Sequence, residues 1–183
     1  MATTPIKVER SARIQSPVGR ASYPTLFVPR AFSEADDAKF SITLMVKKDD
    51  AGNAYKAAIE TVQEGALKML LGTKKATNVE RWGIKDGDDQ DDQEMHGHWL
   101  IKATNKSRPA VVDADRAPVT DPEVIYGGCL VRTSVCAKAY GSPAKCGVAL
   151  ELVAVQKVGD GEPFSASARA KNQAVAEFDD ATF

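Results

Sequence analysis

The chain has 183 residues, with 24 Lys plus Arg against 25 Asp plus Glu and a net charge of −1. That length bounds one domain with appendages, and no apolar run approaches the ~18 residues of a membrane-spanning helix. Met1 to Gln15 lacks the apolar stretch of a signal peptide, and three cysteines, an odd number, fit reduced thiols, so the cytoplasm is the expected compartment.

The distribution of charge says more than its sum. Met1 to Arg30 holds five cations (Lys7, Arg10, Arg13, Arg20, Arg30) and one acid, Glu9. Asp86 to Glu94 holds six acids and no cation, and Glu177, Asp179 and Asp180 add to the terminal carboxylate. Setting the acidic segments aside leaves a basic body, which suits a cationic binding surface with solvated acidic appendages.

Taken in order, Pro5 to Ile14 alternates and predicts a strand. Gln15 to Arg20 is a turn carrying a cation. Within Ala21 to Phe32, Pro24 and Pro29 bracket a short extended piece that cannot be a long central strand. Lys39 to Lys47 is the cleanest strand, with Phe40, Ile42, Leu44 and Val46 on one face and Ser41, Thr43, Met45 and Lys47 on the other. Ala54 to Leu71 predicts the one helix: Tyr55, Ile59, Val62, Ala66 and Met69 form its apolar stripe, widened by Leu70. Lys56, Glu60, Glu64 and Lys68 supply i,i+4 pairs on its wet face, and Gly72 ends it. The helix reads as a structural plug. Thr73 to Gly97 reads as a long loop in which Trp82 stands among Lys74, Lys75 and Arg81. Strands are predicted for His98–Thr104 and Ala110–Val112.

The dominant element runs from Tyr126 to Phe164 and reads as one long β-hairpin. Its first arm ends at Tyr140, Gly141-Ser142-Pro143 turns, and Gly147 restarts the chain. Cys129, Val131, Thr133, Val135 and Ala137 share an apolar face. Arg132, Ser134, Cys136, Lys138 and Tyr140 share a polar one. At ~3.3 Å per residue such arms are expected to stand partly proud of a small domain. Past Lys157 the pattern breaks, predicting a domain over 1–158 and a flexible linker with a disordered, acidic-aromatic tail over 159–183.

No catalytic constellation is present. Cys129 and Cys136 point to opposite faces of one strand, there is no C-x₂₋₄-C pair, and neither a cofactor nor a metal is expected. The acidic run fails the EF-hand pattern, with Asp91 where glycine belongs and Gly97 where the last glutamate belongs. No phosphate loop, dinucleotide fingerprint or nucleophile elbow occurs. A mainly β chain with one helix, basic turns and scattered aromatics suits an OB-fold barrel, which binds single strands with a cationic groove and stacking rings. Phe40 and Trp99 alternate with aliphatics and are expected in the core. Tyr23, Phe27, Trp82, Tyr126 and Tyr140, near turns or polar faces, are the better stacking candidates, and Tyr23, Phe27, Trp82 and Tyr140 are the four chosen among them. Arg13, Arg20, Arg30, Lys102, Arg108, Arg132 and Lys138 are the candidate phosphate partners. Two other classes stay open at this point: a metal-dependent nuclease or recombination accessory using Asp86 to Glu94, and a protein-binding scaffold with no affinity for nucleic acid.

Several stretches, in this order, resemble a family of tailed-phage single-stranded DNA-binding proteins first catalogued as a domain of unknown function. They are Tyr23-Pro-Thr-Leu-Phe-Val-Pro-Arg30, Lys39-Phe-Ser-Ile-Thr-Leu44, Ser107-Arg-Pro-Ala-Val-Val-Asp113, Tyr126-Gly-Gly-Cys-Leu-Val-Arg132 and the run from Gly147 to Pro163. The resemblance implies an OB-fold without enzymatic activity that coats single-stranded DNA in phage replication or recombination, in the host cytoplasm. It also implies that the tip Glu177, Phe178, Asp179, Asp180 and Phe183 recruits replication or recombination proteins and competes with DNA for the groove, as a tethered acidic peptide would. A homo-oligomer is compatible with it, and a membrane partner is not. Cys136 to Tyr140 carries fewer rings than that family's hairpin, so cations are expected to carry more of the binding here.

Overall fold

The computed structural model describes residues 7–31 and 33–165. Its strands are β1 (Val8–Gln15), β2 (Gly19–Arg30), β3 (Lys39–Lys47), β4 (Val79–Arg81), β5 (Ile84–Asp86), β6 (His98–Asn105), β7 (Ala110–Val112), β8 (Leu130–Gly141) and β9 (Cys146–Gly159), with one α-helix, α1 (Asp50–Leu71), between β3 and β6. Five strands close on themselves in the order β2–β3–β6–β9–β8 and back to β2. Every pairing in that ring is antiparallel except β6 with β9, which is parallel. This is the connectivity of an OB-type barrel, with β3 and β6 as its second and third strands.

The barrel interior follows from period-2 alternation. Ile42, Leu44 and Val46 of β3, Ile101 and Ala103 of β6, Val131 and Val135 of β8, and Leu150, Leu152 and Val155 of β9 form one buried cluster. The apolar face read for the hairpin's first arm is the inner one: Cys129, Val131, Thr133, Val135 and Ala137 are all buried. α1 plugs the barrel with Tyr55 and Ile59. Its last turns cover Ala137, Ala139, Cys146 and Val148 with Ala66, Leu67 and Leu70.

Several local expectations change. α1 starts at Asp50 rather than Ala54, because the Asp49 side chain accepts the Gly52 N–H at 2.8 Å and caps it. Gln63 and Leu67 are buried, whereas Met69 is 48 % exposed. Lys56 pairs with Glu60 as expected, but Glu64 turns to Arg81 across the fold. β2 is a twelve-residue strand despite its prolines. Its outer half pairs only with β3, so the missing N–H groups of Pro24 and Pro29 fall on an edge. Residues 73–97 are not a plain loop. β4 joins β9, β5 joins β6, and two 3-10 turns follow. Trp99 is half-buried rather than core: its indole N–H donates to Asn53 at 2.8 Å, and the ammonium groups of Lys48 and Lys56 lie over its ring.

The hairpin β8–β9 extends beyond the barrel closure but does not stand bare. β1 lines its distal edge from Gln15 opposite Ser134 to Val8 opposite Tyr140, and α1 covers one of its faces. The stretch expected as linker begins in contact with the barrel. The Tyr126 hydroxyl donates to the Gly161 carbonyl at 3.0 Å, Pro163 is buried, and the Phe164 N–H donates to the Gly127 carbonyl at 3.1 Å. Gly128, at φ 112°, allows this approach: a Cβ there would lie 2.1 Å from the Glu162 carbonyl oxygen. The expected tail residues Glu177, Phe178, Asp179, Asp180 and Phe183 lie outside the described residues.

Candidate nucleic-acid interface

The outer face of β3 and β6 is polar because its inward partners are apolar and the side-chain period is two. Strand registry assembles this face from distant stretches. Thr25 of β2 lies opposite Ser41 of β3, Ser41 opposite Thr104 of β6, and Thr104 opposite Glu151 of β9. Glu151 in turn lies opposite Cys136 of β8, and Cys136 opposite Arg13 of β1. The Thr25 and Ser41 hydroxyls are 2.9 Å apart. A second row runs Ser22–Thr43–Lys102, of which Ser22 is buried and Thr43 and Lys102 reach the surface. Hydroxyls flanked by cations can hydrogen-bond phosphate and sugar oxygens without reading bases.

Two aromatic clusters stand beside this face. On the β2 side the Arg108 guanidinium lies 5.0 Å from the centroid of the Phe27 ring, and Arg30 lies opposite Lys39. Tyr23, on the same strand, is 76 % exposed and holds a positive φ of 46°. On the β9 side Trp82 is 54 % exposed, and its backbone is fixed by Trp82 N–H to Val148 O at 2.9 Å and Gln63 Nε2 to Trp82 O at 2.8 Å. The Tyr140 ring lies across Gly147, where an added Cβ would come within 2.6 Å of its Cζ and Oη. Burial raises the Tyr140 phenol above its ordinary value, an effect opposed by the neighbouring Trp82 side chain.

The cations differ in how far they are already engaged. Arg10 grips Glu151 with two N–H groups at 2.8 and 3.1 Å, and Lys138 reaches the same carboxylate at 3.4 Å. The Arg10 guanidinium, helped by Lys138, holds the Glu151 carboxyl below its usual range. Arg20 stacks on the Phe164 ring at 4.2 Å and donates to the Glu162 carbonyl at 2.6 Å. Arg13, Arg30, Lys102, Arg108 and Arg132 are exposed. The structure therefore brings Phe27 together with Arg108, Trp82 with Tyr140, and Lys138 with Arg10. Arg132 stands apart at the base of the hairpin, opposite Gln156.

Sequence reasoning passes over Arg10, Glu151 and the hydroxyl rows. Only the outward parity of Ser41 and Thr43 offers a signal, since registry between strands leaves no mark in a single strand. Three acids of the run, Asp86, Asp88 and Asp92, are engaged in local structure. Lys48 pairs with both Asp86 and Asp88, and its ammonium holds their carboxyls below the usual range. Asp86 and Asp92 cap the two 3-10 turns, and Asp88 accepts the Gly97 N–H at 2.6 Å. Among the described residues no three His, Cys, Asp or Glu side chains converge as metal ligands.

Comparison with known proteins identifies the family. A family model described as the ssDNA-binding protein of Enterobacter phage Enc34 matches residues 13–182. A curated relative, putative protein p50 of Acyrthosiphon pisum secondary endosymbiont phage 1, is 29 % identical over 174 residues, spanning 88 % of this chain and 89 % of its own. The single-stranded DNA-binding protein of bacteriophage Enc34, solved in complex with ssDNA, superposes with a TM-score of 0.67 at 29 % identity, covering 84 % of this chain and 89 % of that one. The single-stranded DNA-binding protein gp2.5 of bacteriophage T7 shares the fold alone, with a TM-score of 0.59 at 17 % identity over 84 % of this chain and 95 % of its own. With its barrel, its helix and nearly all of its length accounted for by one family model, the chain belongs to the Enc34 phage ssDNA-binding protein family.

Proposed function

We propose that this protein binds single-stranded DNA without reading its sequence, coating and protecting it during phage DNA replication and recombination in the host cytoplasm. The observation that carries the reading is the polar outer face of β3 and β6 set between two aromatic clusters, on a chain of this family. Backbone oxygens of the strand meet Arg13, Arg20, Arg30, Lys102, Arg108, Arg132 and Lys138, and bases stack on Tyr23, Phe27, Trp82 and Tyr140. Stacking is tolerant of sequence because every base has a π-face. The role is stoichiometric binding rather than catalysis. Glu177, Phe178, Asp179, Asp180 and Phe183 recruit replication or recombination proteins.

The test is fluorescence anisotropy of labelled oligo-dT at several salt concentrations with duplex competitor. Tight, salt-sensitive binding that duplex leaves intact is expected; no binding at low salt would sink the reading. Replacing Arg132 and Lys138 together by Ala should weaken binding and flatten the slope of log K against log salt by about 0.7 for each phosphate no longer neutralised. An unchanged slope would remove the hairpin from the site.

A further inference from the structure

The buried stripe of α1 holds one residue that hydropathy would not place there. Tyr55 and Ile59 precede it, Ala66, Leu67 and Leu70 follow it, and between them Gln63 is 3 % exposed. A methionine or leucine would fill the same space without burying a polar group, whereas a primary amide taken out of water is destabilising unless it is hydrogen-bonded. Gln63 makes that bond away from its own helix: Nε2 donates to the Trp82 carbonyl at 2.8 Å. A carbonyl only accepts, so this partner demands a donor, which an aliphatic side chain lacks.

Trp82 lies on the two-residue connection between β4 and β5, and that connection is held from every neighbouring element. Arg81 before it places two N–H groups on one carboxylate oxygen of Glu64 in α1, at 3.2 and 2.6 Å. The Trp82 N–H donates to Val148 of β9 at 2.9 Å, and the Lys102 N–H of β6 donates to the Gly83 carbonyl at 2.7 Å. Gly83 turns at φ 111° so close to β9 that a Cβ would lie 2.8 Å from Leu150 Cγ. The ring itself is left out of this packing: Trp82 is 54 % exposed, beside the Tyr140 phenol. Three elements thus fix the backbone of an aromatic residue whose side chain they leave in solvent. Such a mount adds little to the core, but it removes in advance the freedom that a stacking partner would otherwise have to remove on binding.

We infer that Gln63 is a positioning residue of the ssDNA-binding face. Through the Trp82 carbonyl it sets the backbone, and with it the ring, before a base arrives, and it touches no DNA itself. This role rests on the reading of Trp82 as a stacking ring and adds to it a determinant on the buried side of α1, where the rest of the stripe packs the barrel and the hairpin.

Gln63→Met in the full chain is the test. Methionine keeps the length and helix preference of glutamine and removes its donor. With both tryptophans replaced by fluorotryptophan, the fluorine NMR resonance assigned by Trp82→Phe should shift or broaden in Gln63→Met with no DNA present, while that of Trp99 stays in place. Anisotropy titration with oligo-dT, well below the Tm of every variant, should show an affinity loss of about three- to ten-fold, no larger than that of Trp82→Ala, at an unchanged salt slope. In the Trp82→Ala background Gln63→Met should cost no further affinity, because the ring that it positions is gone. A purely structural amide would lower Tm and leave oligo-dT affinity as in wild type; that result, or an unmoved Trp82 resonance, overturns the inference. A loss of equal size in the Trp82→Ala background also overturns it, since the effect would then reach DNA by another route. Wild-type affinity in Trp82→Ala itself removes the stacking reading of that ring and the positioning role with it, and is told apart because it is read on a variant in which Gln63 is intact.

Discussion

Glu151 lies on the candidate interface, paired with Arg10 and Lys138, where a phosphate would compete with it. It draws Arg10 and Lys138 together on the outer face, in line with the hydroxyls of Thr104 and Ser41. Its neutralisation by Glu151→Gln frees both cations, so ssDNA affinity should rise several-fold and its salt dependence should steepen, as read by anisotropy. The same residue sets a pH dependence. Its folded carboxyl titrates below its ordinary 4.5 because of Arg10. The stability this contributes is therefore fully present above about pH 4.5 and is lost as pH falls through the lower folded value. Thermal melts of wild type and Glu151→Gln should differ above that pH and converge below it; parallel curves would mean that the pair contributes nothing. Neither pairing is legible in the sequence. Arg10 is visible there as a cation and Glu151 as a polar residue between Leu150 and Leu152, but they are separated by 141 residues.

At the scale of elements, the helix and the hairpin are expected to divide stability from binding. Ile59 is fully buried in the barrel plug. Ile59→Ala should cost about 2–5 kcal/mol in denaturant melts and leave ssDNA affinity unchanged at temperatures where the protein is folded. An equal loss of binding would make the plug part of the site. The hairpin behaves the opposite way. Gly147→Ala places a Cβ within 2.6 Å of the Tyr140 ring, whose far end can swing aside. The stability cost should be small and the loss of affinity should match that of Tyr140→Ala, up to about ten-fold for one stack. Period-2 alternation foretells the faces of the hairpin, because every second residue meets the same environment along a strand. It does not foretell that β1 and α1 back the distal half, since that depends on segments far away in the chain. The helix start escapes sequence reading for a smaller reason. Asp49 caps more effectively than the downstream loop residues, and the stretch from Asp50 to Asn53 carries no apolar stripe of its own.

For the whole molecule, the acidic and basic segments are separable parts of one charge balance. Deleting residues 177–183 should preserve or tighten oligo-dT binding and abolish capture of replication partners in pull-downs. Weaker DNA binding on deletion would reverse that account of the tail. The barrel side of the chain's exit is already held, through Tyr126, Gly127 and Arg20 on residues 161–164. Its place in a basic turn marks Arg20 as a phosphate partner, and in the structure it also clasps this exit segment.

Local sequence was enough to give the helix and most of the barrel strands, the inner and outer face of the main strands, the absence of recognisable catalytic motifs and, through an ordered set of short stretches, the family. These are local properties or sums of local properties: alternation, capping, composition and motif order. Which residues act together emerged only on folding. Barrel closure sets Phe27 beneath Arg108, Trp82 beside Tyr140, Arg10 and Lys138 on Glu151, and Arg20 on Glu162, a carbonyl 142 residues away. Strand registry fixes the Arg10, Lys138 and Glu151 group and the paths of the connecting loops fix the others, and both are relations between distant segments that no single segment encodes.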